Sequence, residues 1–223
     1  CAACVCVLVI GQVVSSVRAF EPEKVAEKEK VATLLPIEVN EINIAEVTKL
    51  RKNETPKWRM IHVWGSWCAT CVEDFHAVIE ASKEFDEEGF ELITISNDPK
   101  EDLEKVRKFL TKKGAGLTEA QVTALKAEGR TTNHYRYGGE RLGDMMKVLD
   151  KEWSGGIPYS VLITPKGDIV WRHIGEAHGP VMAEQMLAAM LKEEEKEKAK
   201  KAGDEAGKKV KKTEKPEKKR KDK

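Results

Sequence analysis

The 223-residue chain has few aromatic residues, at 6%, and only five cysteines, and it contains no long apolar run. Five cysteines are too few for the disulfide framework that stabilises small secreted folds. A transmembrane helix needs about 20 consecutive, mostly apolar residues, so the sequence as it stands excludes an integral membrane protein. The length then allows one domain with tails, or two small domains.

Net charge is also small, at +1, but it is unevenly distributed. Residues 192–223 hold 15 Lys and Arg against 9 Asp and Glu, whereas residues 19–191 hold 23 against 29. An acidic body argues against a nucleic-acid-binding core, because binding to phosphates requires a basic surface. We expect no nucleic-acid partner, and at most a weak contact of the basic tail with anionic surfaces.

The N-terminus has the features of a secretory signal. A short apolar run is followed by Val17 and Ala19, which fit the −3 and −1 positions of a cleavage site before Phe20. Because the run has no initiator Met and no basic leader, we predict that residues 1–19 are most of a signal peptide whose true start lies upstream. A truncated anchor and a buried strand are the alternatives.

Cleavage at that site would leave two cysteines, Cys68 and Cys71, in the mature protein. We therefore expect an extracytoplasmic protein, secreted or periplasmic, because disulfides persist in those compartments. An uncleaved N-terminus would instead anchor the protein to a membrane.

The rest of the chain divides by composition into three parts. Residues 20–36 are a lead-in in which Glu and Lys alternate, and residues 37–191 carry the periodic apolar patterns of a folded domain. Residues 192–223 have almost no apolar side chain and cannot offset the entropy of ordering. We predict a disordered tail there, apart from residues 193–201, which can extend the preceding helix.

Apolar periodicity within the folded domain predicts strands alternating with helices. The strands are predicted at 37–42, 60–64, 90–96, 158–163 and 168–174, and the helices begin near 44, 68, 99, 118, 142 and 180. Asn43 with Glu46, and Thr118 with Gln121, have the spacing of capping boxes. The pattern indicates one α/β domain with helices on both faces of a sheet.

Cys68 and Cys71 form a Cys-x-x-Cys motif where a buried strand meets a helix. Residues three apart at a helix start face the same side, so the two sulfur atoms can form a disulfide. Cys68 lies at the helix N-terminus, where unpaired N–H groups and the helix dipole lower the pKa of a thiol. Cys71 is better placed to resolve a mixed disulfide. The motif therefore predicts thiol–disulfide exchange.

Three other interpretations of the cysteine pair stay open from the residues alone. His173 and His178 could complete a zinc site with the pair, although about 100 residues separate them from it. A purely structural disulfide is the second alternative, and a pair of buried free thiols is a further one. We predict no metal and no cofactor other than the cysteine pair.

Two segments resemble one known family. Residues 63–71, Val-Trp-Gly-Ser-Trp-Cys-Ala-Thr-Cys, resemble the active-site segment of thioredoxin-fold proteins. Residues 155–163, with Lys-Gly-Asp-Ile-Val at 166–170, resemble the cis-proline strand and closing hairpin of that fold. The resemblance covers about residues 37–191 and is strongest to the TlpA/ResA-like extracytoplasmic thiol–disulfide oxidoreductases, which are grouped with redoxin and AhpC/TSA proteins.

The resemblance implies a thioredoxin-like fold. In such a fold a central mixed β-sheet is flanked by helices on both faces. Because residues 114–155 exceed what a minimal thioredoxin needs, we expect a helical insertion before the cis-proline strand. Residues 130–139 are predicted to form a loop of this insertion that borders the active site and uses His134, Tyr135 and Tyr137 to select partners.

The resemblance also implies roles for five residues. Cys68 would be the nucleophile and Cys71 the resolving thiol. Pro158 would follow a cis peptide bond opposite the disulfide, and Ile157 would offer its backbone to an extended substrate peptide. Trp67 would shield the pair and provide a docking surface. From the residues alone, a trans proline at the start of a strand is the simpler interpretation of Pro158.

The sequence departs from the family pattern in places. Ala69 and Thr70 stand between the cysteines, where proline is frequent, and His76 replaces another common proline. Residues between the cysteines tune the redox potential in this fold, so the departure leaves the potential open. Asp74 fills the acidic position of the family and would relay a proton to Cys71. A solvated acid stabilised by the helix dipole is the alternative.

His62 occupies the strand position at which thioredoxins carry a buried acid beneath the disulfide. It would act there as a base or a pH sensor. A hydrogen-bonded core histidine is the simpler interpretation.

Together these features predict a secreted thiol–disulfide oxidoreductase acting on protein substrates. Reduction is the expected direction, with an upstream thiol as electron donor. A peroxiredoxin-like thiol peroxidase is one alternative, but it needs Thr or Ser three residues before its reactive cysteine, where this chain has Gly65. A metal-handling or binding module without redox turnover is the other.

Overall fold

The computed structural model describes residues 33–85, 89–139 and 141–213, of which 204–213 are described by their backbone alone. All of the described residues lie in one compact unit, which begins at Thr33. The predicted signal peptide at 1–19, most of the lead-in and residues 214–223 of the tail lie outside the described residues. Among the described residues, no helical segment combines the length and the hydropathy that a membrane span requires.

Within the described residues, six strands form one mixed sheet. They are β1 (Asn40–Ile42), β2 (Trp58–Trp64), β3 (Phe90–Ser96), β4 (His134–Tyr137), β5 (Tyr159–Ile163) and β6 (Ile169–Ile174). Their order across the sheet is β1-β4-β3-β2-β5-β6. Four neighbouring strands, β1, β4, β3 and β2, run parallel to one another. β5 is antiparallel to both of its neighbours, β2 and β6. The predicted α/β class and thioredoxin-like fold are confirmed.

The same residues contain six α-helices. They are α1 (Ile44–Lys52), α2 (Ala69–Lys83), α3 (Leu103–Lys112), α4 (Glu119–Ala127), α5 (Leu142–Leu149) and α6 (Gly179–Thr213). Both predicted capping boxes form, with Asn43 and Glu46 at α1 and Thr118 and Gln121 at α4. Each box satisfies backbone N–H groups that the first turn of a helix leaves unpaired.

β2 is the centre of the core because it is covered on both faces of the sheet. Ile61 and Val63 pack in a cluster with side chains of α1 and α5. Met60 and Trp64 point to the opposite face, where α2, α3 and α6 lie. Successive side chains of a strand alternate between faces, so a strand buried on both sides reads as a continuous apolar run. The predicted central strand is therefore confirmed.

Residues 130–139 do not form the predicted loop. His134–Tyr137 is a strand that pairs in parallel with β3 on one side and β1 on the other, and its four side chains are buried. Tyr135 and Tyr137 belong to the core, so they are not available to select a partner. The sequence of this strand, His-Tyr-Arg-Tyr, is only four residues long, which is too short for its alternation to predict a strand. The insertion therefore contains a strand as well as helices.

The tail also differs from its prediction. α6 continues to Thr213, whereas the composition predicts helix only as far as residue 201. Lys and Glu are good helix formers, and opposite charges three or four residues apart stabilise a helix without any apolar contact. Two such pairs lie in the described part of α6: Lys196 with Glu193 and Lys198 with Glu194.

Candidate active site

The Cys-x-x-Cys motif lies where β2 ends and α2 begins. The backbone N–H of Cys68 donates to the carbonyl of Gly65 at 3.1 Å, which closes a tight turn over Ser66 and Trp67. Cys68 is the N-cap residue of α2, and Ala69 is its first helical residue. The turn places Cys68 at the carboxyl edge of the parallel strands, where α/β sheets commonly carry their functional groups.

Cys68 and Cys71 form a disulfide, with their Cα atoms 5.2 Å apart. The backbone N–H of Cys71 points at Sγ of Cys68 from 3.2 Å. Cys71 is fully buried, whereas Cys68 is partly exposed. The N–H group and the positive end of the helix dipole both favour a thiolate on Cys68 once the disulfide is reduced. The geometry suits attack by Cys68 and resolution by Cys71.

The predicted cis-proline segment lies directly beside the disulfide. The Ile157–Pro158 peptide bond is cis, which confirms the prediction. The carbonyl oxygen of Ile157 is 3.8 Å from Sγ of Cys68, although 89 residues separate the two in sequence. Gly175 donates its N–H to the carbonyl of Pro158 at 3.0 Å and so ties this loop to the end of β6. Backbone groups of this loop therefore lie beside Sγ of Cys68.

Trp67 is 56% exposed, which is unusual for so large an apolar side chain. Its indole N–H donates to the carbonyl of Asn97 at 3.3 Å. The ring lies so close to Gly65 that a Cβ at that position would be 2.8 Å from indole atoms. The glycine therefore lets the indole lie flat beside the turn, and its exposed face provides an apolar surface next to Cys68.

His62 lies in the middle of β2, buried against the ring of Phe75. Its Nδ1 is 2.9 Å from the hydroxyl oxygen of Ser160, and its Nε2 has no hydrogen-bond partner among the described residues. Burial, with a smaller effect from His173, lowers the pKa of His62 to about 3. The imidazole is neutral at physiological pH, which fits a core histidine.

Asp74 lies on α2, one turn beyond Cys71. Its Oδ2 accepts a hydrogen bond from the backbone N–H of Ala177 at 2.9 Å. This bond ties α2 to the segment that leads into α6. Asp74 therefore satisfies a backbone donor, a role that neither sequence interpretation included.

Asp98 is a site residue that sequence reasoning missed, because the pattern assigns it only to a helix start. Its buried carboxylate lies beneath the active-site turn and accepts hydrogen bonds from the N–H and hydroxyl groups of Ser66 and from the hydroxyl of Ser96. The available signal was a Ser-x-Asp sequence at the carboxyl end of a buried strand. Polar residues at that edge are candidates for a site in α/β folds.

A second missed group supports the cis-proline loop. Tyr159, the first residue of β5, stacks on the indole of Trp153 with ring centroids 4.5 Å apart. The Trp153 N–H donates to the carbonyl of Gly156 at 2.8 Å. The Tyr159 hydroxyl donates to the buried carboxylate of Asp150, which also accepts from the guanidinium of Arg172. The stacked pair therefore supports the loop at Gly156 and at the start of β5.

The zinc alternative requires the cysteine pair to meet His173 and His178. His173 instead bonds to the carbonyl of Glu176, with Nε2 and the oxygen 2.7 Å apart. Within the part of the chain that the structure describes, no three His, Cys, Asp or Glu side chains are grouped so that they could hold a metal ion. The fold therefore does not bring Cys68 and Cys71 together with His173 and His178 in a possible zinc site.

Comparison with known proteins places the chain in a family. The sequence profile described as "AhpC/TSA family" matches residues 33–172, which is more than half of the chain and includes both cysteines and the cis-proline. A search of curated proteins found no significant match.

The chain is also similar to several solved structures. A thioredoxin-family thiol:disulfide interchange protein from Chlorobium tepidum TLS is 15% identical with a TM-score of 0.45, and the match covers 61% of this chain and 81% of that one. StoA from Bacillus subtilis is 20% identical, with a TM-score of 0.39 and coverages of 58% and 82%. A secreted disulfide oxidoreductase from Mycobacterium tuberculosis is 12% identical, with a TM-score of 0.42 and coverages of 60% and 83%. The strand order of the sheet and the family match identify the fold.

Proposed function

The chain belongs to the AhpC/TSA family and is a thiol–disulfide oxidoreductase of thioredoxin-like fold, and we propose that Cys68 and Cys71 carry out its reaction on protein substrates. The observation that supports this most is the cysteine pair at the N-terminus of α2. There Sγ of the partly exposed Cys68 lies 3.8 Å from the carbonyl oxygen of the cis-proline loop. A purely structural disulfide has no need of a partly exposed cysteine at a helix N-terminus.

The proposed reaction begins with the reduced pair. The Cys68 thiolate attacks one sulfur of a substrate disulfide, a bond forms between the two sulfurs, and the substrate disulfide breaks. The displaced substrate thiolate takes a proton from water. The N–H of Cys71 and the dipole of α2 stabilise the attacking thiolate.

The second step belongs to Cys71. Its thiolate attacks Sγ of Cys68, releases the remaining substrate sulfur as a thiol and forms the Cys68–Cys71 disulfide. Two electrons have then passed to the substrate, and an external thiol donor must return them before the next cycle. The same steps in reverse would oxidise a substrate dithiol.

Substrate contact is assigned to both sides of the disulfide. Trp67 offers an exposed apolar face on one side, and Ile157 and Pro158 offer backbone groups on the other. An extended peptide could lie along that backbone as an added strand, which would bring its cysteine to Cys68. Replacing Trp67 by Ala should raise KM for a protein disulfide more than it changes the rate with a small disulfide.

For the resolving step we assign the proton relay to Asp74. It follows Cys71 by one turn of the same helix. His62, with a pKa of about 3, is a poor base at neutral pH. Asp74→Asn should therefore slow release of the mixed disulfide, whereas His62→Gln should not do so in protein that has folded. The opposite result would assign the relay to His62.

We propose reduction as the direction and an extracytoplasmic location. The signal-like residues 1–19 support the location. Recovery of mature protein from the extracytoplasmic fraction with Phe20 as its first residue would agree with this, and full-length protein in the cytoplasm would contradict it. Equilibration with glutathione tests the direction. A potential at or below about −230 mV fits a reductant, whereas about −120 to −180 mV fits an oxidant or isomerase.

The deciding experiment compares cysteine variants in the reduction of insulin by dithiothreitol. Cys68→Ser should abolish catalysis, and Cys71→Ser should accumulate a mixed disulfide with the substrate. The matched control replaces Cys1, Cys4 and Cys6 by Ser and should keep full activity. Full activity in Cys68→Ser would overturn the proposal, and rapid peroxide consumption with the same thiol would favour the peroxidase alternative.

A further inference from the structure

We infer that Asp98 is a positioning residue that holds the turn carrying Cys68, an inference that rests on the proposed function. Asp98 is 2% exposed and lies two residues beyond β3. The turn that it contacts lies 32 residues earlier in the sequence and belongs to the neighbouring strand.

The contacts of the Asp98 carboxylate converge on one residue of the turn. The backbone N–H of Ser66 lies 3.1 Å from Oδ1 and 3.0 Å from Oδ2, and the Ser66 hydroxyl donates to Oδ1. The hydroxyl of Ser96 donates to Oδ2. Ser66 is two residues before Cys68, so the carboxylate fixes the backbone from which the nucleophile extends.

The neighbouring backbone strengthens this attachment. The N–H of Asn97 donates to the carbonyl of Trp64 at 2.8 Å, and the carbonyl of Asn97 accepts from the indole of Trp67 at 3.3 Å. Arg136 donates to the carbonyl of Asp98 at 3.2 Å from the side of β4. Residues 97–98 are therefore bound to three of the four residues that precede Cys68, namely Trp64, Ser66 and Trp67, and Arg136 holds Asp98 in turn.

A carboxylate is required by the number of donors. An ionised Asp accepts at both oxygens, whereas an Asn offers one acceptor oxygen and an NH₂ group that cannot accept from Ser66 or Ser96. Loss of this bond set would loosen the turn and lower the effective concentration of one thiol at the other. The same change removes a negative charge near Cys68. Because a nearby like charge disfavours a thiolate, this removal stabilises the Cys68 thiolate. Both effects favour the dithiol over the disulfide.

The test measures the equilibrium of the Cys68–Cys71 pair with glutathione in the full chain. Asp98→Asn should shift the equilibrium constant about tenfold toward the dithiol, equivalent to a potential about 30 mV more oxidising. Ser66→Ala keeps the charge but loses the hydroxyl bond, and should shift the equilibrium about threefold in the same direction. Glu101→Gln, at an exposed acid of the same segment, should leave the equilibrium unchanged.

The outcomes separate the positioning role from its alternatives. An unchanged equilibrium in Asp98→Asn would overturn the inference. A shift in Asp98→Asn with none in Ser66→Ala would assign the effect to charge, and would overturn positioning. If Asp98→Asn does not fold, Ser66→Ala alone decides. A wild-type pair that does not titrate reversibly would overturn the proposed function instead.

Discussion

At the amino ends of β2 and β3, buried Arg59 and largely buried Arg130 hold the carboxylate of Glu91 between them. At the carboxyl ends of the same strands, the buried carboxylate of Asp98 accepts from the N–H and hydroxyl groups of Ser66 and from the hydroxyl of Ser96. The first arrangement neutralises buried charge with opposite charge. The second uses directional bonds from neutral groups to hold the turn that carries Cys68. The comparison suggests that the amino end serves stability and the carboxyl end serves chemistry.

The largest effect is expected from breaking the ion cluster at the amino end. Glu91→Gln would leave Arg59 buried without its anion, and removing one partner of a buried ion pair costs about 3–5 kcal/mol of unfolding free energy. Urea denaturation measures this loss. The glutathione equilibrium of the folded variant should stay unchanged, because Glu91 lies at the far end of the strand.

A double replacement serves as the control for that experiment. Arg59→Met with Glu91→Leu replaces the pair by apolar side chains of similar volume, and should recover most of the lost stability. If Glu91→Gln instead shifted the redox equilibrium as strongly as Asp98→Asn, the separation between the two ends would be wrong.

β4, the second strand from one edge of the sheet, contains a buried group that must stay neutral. His134 in β4 is buried, and burial lowers its pKa from 6.5 to about 4, although its bond to the Ala115 carbonyl opposes the shift. Below pH 6.5 the unfolded chain takes up a proton that the folded chain does not, so stability falls as the pH falls from 6.5 towards 4. From pH 7 to pH 5 this group should cost about 2 kcal/mol.

His134→Gln should remove that part of the pH dependence. Urea denaturation of both proteins at pH 7 and pH 5 measures this pH dependence. Between pH 7 and pH 5 the wild type should lose about 2 kcal/mol more unfolding free energy than the variant. Equal losses in both proteins would show that His134 is protonated in the folded state.

The cis-proline side combines both kinds of contact, because Asp150 accepts from the charged Arg172 and from the neutral hydroxyl of Tyr159. Tyr159→Phe keeps the ring stacked on Trp153 and removes only the hydroxyl. Since Arg172 remains, we expect a loss of about 1.5 kcal/mol of unfolding free energy, measured by urea denaturation. A loss as large as that of Glu91→Gln would mean that the Tyr159–Asp150 bond matters to stability as much as the buried ion cluster does.

Exposed ion pairs should give the smallest loss of unfolding free energy when one partner is replaced. Lys198 and Glu194 on α6 are 3.6 Å apart, with side chains 77% and 50% exposed. Lys198→Ala should change the unfolding free energy by less than about 0.5 kcal/mol, because water and salt screen such pairs. Thermal unfolding at low and high salt measures it, and a large loss would mean that this part of α6 supports the domain.

The features that carry the proposed chemistry could be predicted from short stretches of sequence. Cys68 and Cys71 lie between a continuous apolar run and a helical pattern, and both capping boxes depend on residues three apart. The cis bond before Pro158 was predicted through resemblance, since the residues alone favour a trans proline. β4 was missed because four residues carry too little periodicity, and its pairing with β1 and β3 exists only in three dimensions.

The sequence by itself determined the α/β class, the cysteine pair at a helix start and the acidic body, because periodicity, spacing and composition act over short distances along the chain. Only the tertiary structure decided how the polar residues are used. Asp98 meets Ser66 across 32 residues, Asp74 binds Ala177 across 103, and His62 becomes neutral because the folded chain surrounds it. A polar side chain acquires its role from the partners and the burial that folding provides.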